Sequence, residues 1–433
     1  MGSRSKGPTE IAKVEARQVL DSRGNPTVEA EVWTFSGLVA RAAVPSGAST
    51  GKHEALELRD EDKGTFRGLG VLKAVANVRE RIRPKILGID CRDQETIDRA
   101  MIDLDGTDDK RDLGANSILA VSMAAARLAA AAGGEPLYEH LHSRTKYRLP
   151  VPMMNIINGG KHAGNRLAIQ EFLIEPTGAK SMNEAVRFGD EVYHVLRSTL
   201  KERFGPSSIN VGDEGGLAPP FEDSAQALDV IIEAISEAGF AGSEIRLGID
   251  PAASGFYDQR TSKYRMDGRE RSRDEMLDCY LSLAKKYRLL TIEDPFDEED
   301  FSAFREITRR LRGKVMVIGD DLYATNPERI RRGISLKATN AVLVKLNQIG
   351  TVTEAMQAAE ISKAAGLATV VSHRSGETED VFIAHLATAI ESEFIKTGAP
   401  ARGERVAKYN ELLRIEEGLG SRAYFAGTPL IKG

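Results

Sequence analysis

The hydrophobic rhythm of the chain changes about a third of the way along. Near the start, Ile11 to Leu20, Thr27 to Thr34 and Leu38 to Val44 are β-rich runs in which apolar positions tend to alternate with polar ones. This pattern predicts half-buried strands. Asp21-Ser22-Arg23-Gly24-Asn25-Pro26 joins the first pair and Ser36-Gly37 the second, and both are turn chemistries, so an antiparallel meander is expected. From about Leu69 to His142 the spacing becomes helical, with an Ala-rich segment that should stop at Gly133-Gly134. The stretch Arg144 to Pro152 holds two prolines and marks a boundary. The expected division is a tail over 1–10, an α+β capping domain over 11–148 and a larger α/β domain over 149–433.

Past the boundary, short β-branched runs alternate with helical patterns: Glu244–Asp250, Leu289–Asp294, Lys314–Asp321, Asn340–Lys345 and Ala368–His373. Such alternation predicts parallel strands with crossover helices. Each run follows the last by roughly one strand-plus-helix unit of a (β/α)8 barrel, which spends about 250 residues on eight such units.

Composition narrows the function class. The 433 residues exceed one ordinary domain, and 41% hydrophobic with 28% charged residues suits a large core under a solvated surface. A net charge of −5, a pI near 6.0 and no basic run argue against a nucleic-acid partner, which would require a basic face. Cys91 and Cys279 are far apart and form no CxxC, so neither a zinc site nor a disulfide framework is expected. Met1 to Pro8 is polar and basic, without the apolar core of a signal peptide. Ala115 to Ala132 carries Asn116, Ser117, Ser122 and Arg127 and reads as a buried helix, not a membrane span. A cytoplasmic location follows from these readings.

The chemistry lies where the apolar runs stop. Successive runs end at Asp250, Glu293, Asp320, Lys345, His373 and Lys396. Barrel active sites form at the carboxyl ends of strands, so three acids, two lysines and a histidine should share one space. Asp250, Glu293 and Asp320 are hard oxygen donors of the kind Mg²⁺ takes. Glu171 follows an apolar run, and Glu214 lies in Val211-Gly212-Asp213-Glu214-Gly215-Gly216. Lys345 and Lys396 beside each other and a divalent metal would have their pKa values lowered, as a lysine base requires. Arg374 and Ser375 after His373 suit an anion. Pro45-Ser46-Gly47-Ala48-Ser49-Thr50-Gly51 has the small residues of a lid. A metal, a lysine base, a carboxylic acid and an anion clamp together suit removal of a proton next to a carboxylate.

Several long motifs resemble enolase, which is 2-phosphoglycerate dehydratase. They include Leu20 to Val28, Val44 to Gly51, Met153 to Gly160, Gly212 to Gly216, Ile292 to Phe296, Ser372 to Thr378 and Ile395 to Pro400. The resemblance runs from about Ile11 to Leu419. It implies a capping domain followed by a barrel with an irregular ββαα start, and reversible loss of water from 2-phosphoglycerate to give phosphoenolpyruvate. By this likeness Lys345 takes the proton, and Glu214, assisted by Glu171, protonates the departing hydroxyl. Asp250, Glu293 and Asp320 hold one Mg²⁺, while a second arrives with substrate and takes Ser49. Arg374 and Ser375 hold the phosphate, Lys396 the carboxylate, and His162, Gln170 and His373 line the pocket. The likeness also implies a homodimer or an octamer of dimers. Enolases are known for secondary binding roles, which would go with a cell-surface or secreted pool, but no residue here shows one. Gly255 stands where the family commonly has an acid, and Pro251 directly after Asp250 is less usual. Two rivals remain at this stage: another lyase or racemase of the superfamily, and a non-catalytic protein derived from an enolase.

Overall fold

A computed structural model describes residues 7–47 and 51–427, except for the side chain of His162. The chain opens with β1 (Ile11–Leu20), β2 (Pro26–Thr34) and β3 (Val39–Ala43), an antiparallel meander in the order β1-β2-β3. The alternation seen in sequence becomes burial: Val14 and Ala16 on β1 and Val28, Ala30 and Val32 on β2 all face inward. The Ala-rich helix Ala115–Gly133 packs on β2 and β3. Small side chains let its backbone approach the sheet, and Gly134 at φ +67° ends it in the left-handed region. Among the described residues it is the one helix long and apolar enough to cross a membrane, and 83% of that stretch is buried within the protein. Cys91 is buried, and both cysteines are free.

After β4 (Tyr147–Leu149) the chain enters the barrel with β5 (Val151–Asn158), β6 (Glu171–Glu175) and β7 (Arg246–Asp250). The short strands β8 (Tyr257–Asp258), β9 (Lys263–Met266) and β10 (Arg269–Arg271) form a separate antiparallel sheet. Five barrel strands follow: β11 (Thr291–Glu293), β12 (Met316–Gly319), β13 (Ala341–Val344), β14 (Ala368–Ser372) and β15 (Phe394–Lys396). A last strand, β16 (Ala423–Phe425), pairs with β4. The barrel closes in the order β11-β12-β13-β14-β15-β5-β6-β7. Both pairings of β6, with β5 and with β7, are antiparallel, and the other barrel pairings are parallel. Two consecutive helices, Met182–Phe204 and Ser224–Glu237, separate β6 from β7. The barrel therefore begins ββαα, as expected.

One apolar core spans both parts of the molecule. It runs from β1, β2 and the Ala-rich helix into Val352, Phe382 and Leu386 of the later barrel helices. The meander is thereby fixed over the β13–β15 side of the barrel. Two loops complete the join. Ser46 and Gly376 exchange backbone hydrogen bonds of 2.7 and 2.9 Å, and the Ser22 amide donates to the Glu377 carbonyl at 2.7 Å. A side chain at Gly376 would strike Asp21, Arg23 and Ser46, so only glycine permits this approach.

The far end of the barrel interior holds a carboxyl group that the sequence reading did not single out. Glu175 closes β6, is fully buried and accepts a 2.5 Å hydrogen bond from Thr291 Oγ1, which crosses the space left by Gly248. Burial pushes its pKa up to about 7. A carboxyl whose folded pKa lies above its unfolded value gives stability that is full below about pH 4.5 and is lost as pH rises through 7. Glu175→Gln should therefore gain roughly 3 kcal/mol above pH 7 and nothing at pH 4. Denaturant titrations at the two pH values check this, and equal effects at both would contradict it.

Candidate active site

Six of the predicted residues arrive at one rim because parallel strands all end there. Asp250, Glu293 and Lys396 are the last residues of β7, β11 and β15. Asp320, Lys345 and His373 directly follow β12, β13 and β14. Glu171 differs from expectation: it opens its strand instead of ending an apolar run. Since β6 runs antiparallel to its neighbours, its first residue lies at the rim, opposite Asp250 in register. Glu214 comes from the 212–216 loop, where its carboxylate accepts 2.9 Å from Asn155 Nδ2 on β5.

The charges interlock. Lys396 Nζ lies 2.8 Å from Asp250 Oδ2, 2.9 Å from Glu293 Oε1 and 3.1 Å from Glu171 Oε2. Lys345 pairs with Asp320, whose other oxygen accepts 2.9 Å from Gln348 Nε2. The Lys345 amide donates to Thr325 Oγ1, which in turn donates to Gln348 at 2.7 Å, so Lys345 and Asp320 share one brace. His373 Nε2 is 3.6 Å from Glu214 Oε2. Arg374 is buried and donates to Glu54 of the first domain at 2.8 and 3.2 Å and to Asn347 at 2.9 Å. Ser375 is buried beside it, and Gln170 borders the same space. Ser49 lies outside the described residues, as does the side chain of His162. Only part of the expected lid loop, Pro45–Gly47 and Gly51, is therefore described.

Burial and crowding shift the titrations. Burial, together with the Glu214 charge, holds the Glu171 carboxyl well above the usual range, against the pull of Lys396. Burial and Asp250 do the same to Glu293. Burial lowers the affinity of Lys345 for its proton, but the adjacent Asp320 outweighs it and the net direction is upward. Burial likewise opposes the charge on Lys396, and Asp250, Glu171 and Glu293 override it. Paired with these acids alone, both ammonium groups hold their protons more tightly, whereas the lowering read from sequence was an expectation for the ring with a divalent metal bound.

The donor set fits a hard divalent ion. Asp250, Glu293 and Asp320 are buried on three adjacent strands, and Glu293 Oε2 has no hydrogen-bond partner among the described residues. Three oxygen donors suit Mg²⁺. An ion drawing on Asp320 would also weaken the hold of that residue on the Lys345 proton. Among the described residues, the carboxylates that already lie within 4.8 Å of one another are a different trio, Asp294, Asp320 and Asp321. Asp294, however, is committed to the backbone amides of Asp320 and Asp321 at 2.9 and 2.6 Å, which is a loop-holding role. Inside the ring only about 30 Å³ is open, bounded by Glu171, Glu214, Lys345, His373 and Lys396 among others. A groove of about 1010 Å³ adjoins it at Gln170, Ala252 and Asp321 and gives access from solvent.

The sequence reading missed Glu54, Asn155, Gln348 and Arg405. Glu54 lies three residues past the end of the small-residue loop, and that proximity was its only signal. Gln348 lies three residues past Lys345 and could have been sought on the same turn. Asn155 lies inside the Met153 to Gly160 motif but had no signal of its own, and Arg405 lies five residues past the Ile395 to Pro400 motif. Glu54 and Arg374 form a buried pair with side chains 5% and 4% exposed. Glu54→Ala should cost about 3–5 kcal/mol of stability by removing the carboxylate paired with a buried guanidinium. A fall in the denaturant midpoint measures it, and an unchanged midpoint would refute it.

Fold and ring together are those of a barrel enzyme whose strand-end site sets buried acids against two lysines. Comparison with known proteins makes this specific. The family model "Enolase, C-terminal TIM barrel domain" matches residues 146–433 and "Enolase, N-terminal domain" matches residues 11–141. The enolase of Methanopyrus kandleri is 56% identical over 416 residues, 96% of this chain and 97% of that one. The enolases of Thermococcus gammatolerans and Methanocaldococcus jannaschii are 54% and 55% identical, covering 98% and 96% of this chain and 98% and 97% of their own. The chain belongs to the enolase family, and its activity is that of a phosphopyruvate hydratase, a glycolytic hydro-lyase.

Proposed function

We propose that the residues of this ring divide the reversible dehydration of 2-phospho-D-glycerate among them as follows. Lys345 Nζ, as the free amine, takes the proton from C2. Glu214 gives a proton to the departing C3 hydroxyl, which leaves as water, and Glu171 assists, its buried carboxyl shifted well above the usual range. The electron pair of the broken C2–H bond becomes the C2–C3 double bond of phosphoenolpyruvate. Arg374 and Ser375 bind the phosphate, Lys396 the carboxylate, and His162, Gln170 and His373 line the pocket. Asp250, Glu293 and Asp320 would hold a first Mg²⁺, and Ser49 would serve a second that is bound together with substrate. When bound, these ions supply positive charge that acidifies C2–H and offsets the charge developing on the substrate carboxylate.

The observation that carries this reading is the pairing of acids with lysines at one rim. Lys396 touches three carboxylates and Lys345 a fourth. A decayed site would have lost some of these charges. The reading extends to a cytoplasmic enzyme, with a cell-surface or secreted pool and secondary surface binding as further aspects. It also includes a homodimer or octamer, which sedimentation would separate, and a domain boundary near 148. Its test is turnover of 2-phosphoglycerate, followed by the absorbance of the enol product. We expect activity with Mg²⁺ and its loss with a chelator. No activity with metal present would favour a non-catalytic binding protein, and turnover of other acid sugars alone would favour a superfamily relative.

A further inference from the structure

Arg405 is an unusual residue to bury. It lies near the start of the helix Gly403–Leu419 and has no exposed surface. A guanidinium there suffers both desolvation and the positive end of the helix dipole. Its usual compensation would be a carboxylate, yet among the described residues only Glu404 approaches, 3.4 Å from Nε. The two terminal nitrogens are instead saturated by other acceptors. One donates to His373 Nδ1 at 2.6 Å and to the Arg374 carbonyl at 2.7 Å. The other donates to the carbonyls of Asp213 at 3.0 Å and Ser375 at 2.6 Å. Arg405 thus joins the loop that carries Glu214 to the loop that carries His373, Arg374 and Ser375.

The chemistry of this contact is one-directional. Arginine has five N–H donors and no acceptor. A ring nitrogen 2.6 Å from it must offer a lone pair, so the ring hydrogen is on Nε2. Nε2 faces Glu214 across 3.6 Å, beside the enclosed space at the rim. The charged groups facing the ring are Glu214 from the 212–216 loop, Arg405 from the last helix and Lys396 from β15. Burial first, reinforced by Arg405 and Lys396 and opposed by Glu214, lowers the pKa of His373 to about 3. The ring is therefore neutral, and its tautomer is what Arg405 decides.

We propose that Arg405 is a positioning residue that fixes His373 as the Nε2–H tautomer, so that the imidazole is a hydrogen-bond donor to the pocket and cannot accept the proton that Glu214 delivers to the departing hydroxyl. With the opposite tautomer, Nε2 would present a lone pair to Glu214 and compete with the substrate hydroxyl for that proton. The proposal rests on the acid role assigned to Glu214 above.

Lysine and glutamine at this position separate the alternatives. Lysine can only donate, whereas glutamine can also accept a hydrogen from Nδ1. Arg405→Lys should keep the tautomer and most of kcat, while Arg405→Gln should show mixed tautomers and lose kcat by roughly 10²-fold at near-constant KM. Nitrogen-15 spectra of histidine-labelled enzyme, with His373→Asn assigning the signal, read the tautomer between pH 5 and 8. A protonated Nδ1 in the unaltered enzyme would overturn the proposal, even if neither variant folds. Equal losses in both variants with an unchanged tautomer would also overturn it, since a purely structural role predicts that outcome. Glu214→Gln serves as a separate control. Near-normal turnover there would remove the acid assignment and leave the tautomer measurement standing.

Discussion

Glu293→Gln should leave a folded protein with almost no turnover of 2-phosphoglycerate. Glu293 is fully buried between Asp250 and Asp320 on adjacent strands, and one of its oxygens accepts from Lys396 at 2.9 Å. The amide keeps the size and an acceptor oxygen, and Lys396 keeps Asp250 and Glu171. No charge is stranded, and one source of like-charge crowding disappears, so stability should hold or rise. What is lost is one of three anionic oxygen donors suited to a divalent ion. Removing a single placed electrostatic group typically costs about 10²–10³ in rate, and losing a metal carboxylate should cost at least that. The test pairs thermal unfolding with turnover and calorimetric Mg²⁺ titration. Near-normal turnover would remove Glu293 from the metal site.

Lys345→Ala should be as severe for a different reason. A positioned base contributes about 10²–10⁴ in rate, and among the described residues the other amine of the ring is Lys396, which three carboxylates hold. Asp320 retains the Gln348 amide at 2.9 Å, so the truncated protein should still fold. Exchange of the substrate C2 hydrogen with solvent deuterium distinguishes the base from the acid. Lys345→Ala should abolish exchange, whereas Glu214→Gln should suppress water loss and leave exchange measurable. Exchange at the normal rate in Lys345→Ala would assign the base elsewhere.

The strand-end residues were legible because a barrel sends every parallel strand to one rim, and a run of β-branched residues shows where each strand ends. Asp250, Glu293, Asp320, Lys345, His373 and Lys396 were found on that rule alone. Glu171 was found but misplaced within its strand, because direction is not written in an apolar run. Only the antiparallel pairing of β6 puts its first residue at the rim. Arg374 was read as an anion clamp, but its partner Glu54 lies 320 residues away in the chain. No periodicity could connect them. The carboxylate partners of the two lysines were hidden for a related reason. The sequence reading set the two lysines against each other and a metal, whereas packing sets each against carboxylates.

The sequence by itself determined the two-part organisation, the meander, the barrel and the kinds of chemistry on its rim. These follow from local rules: the side-chain period, turn residues, and the charge that ends an apolar run. Tertiary structure decided which charge faces which. It fixed the direction of β6, the pinning of Ser46 against Gly376, the brace from Thr325 through Gln348 to Asp320, and the donation from Arg405 to His373. Each joins segments brought together only by packing, and an electrostatic interaction depends on distance and burial, neither of which a linear chain displays.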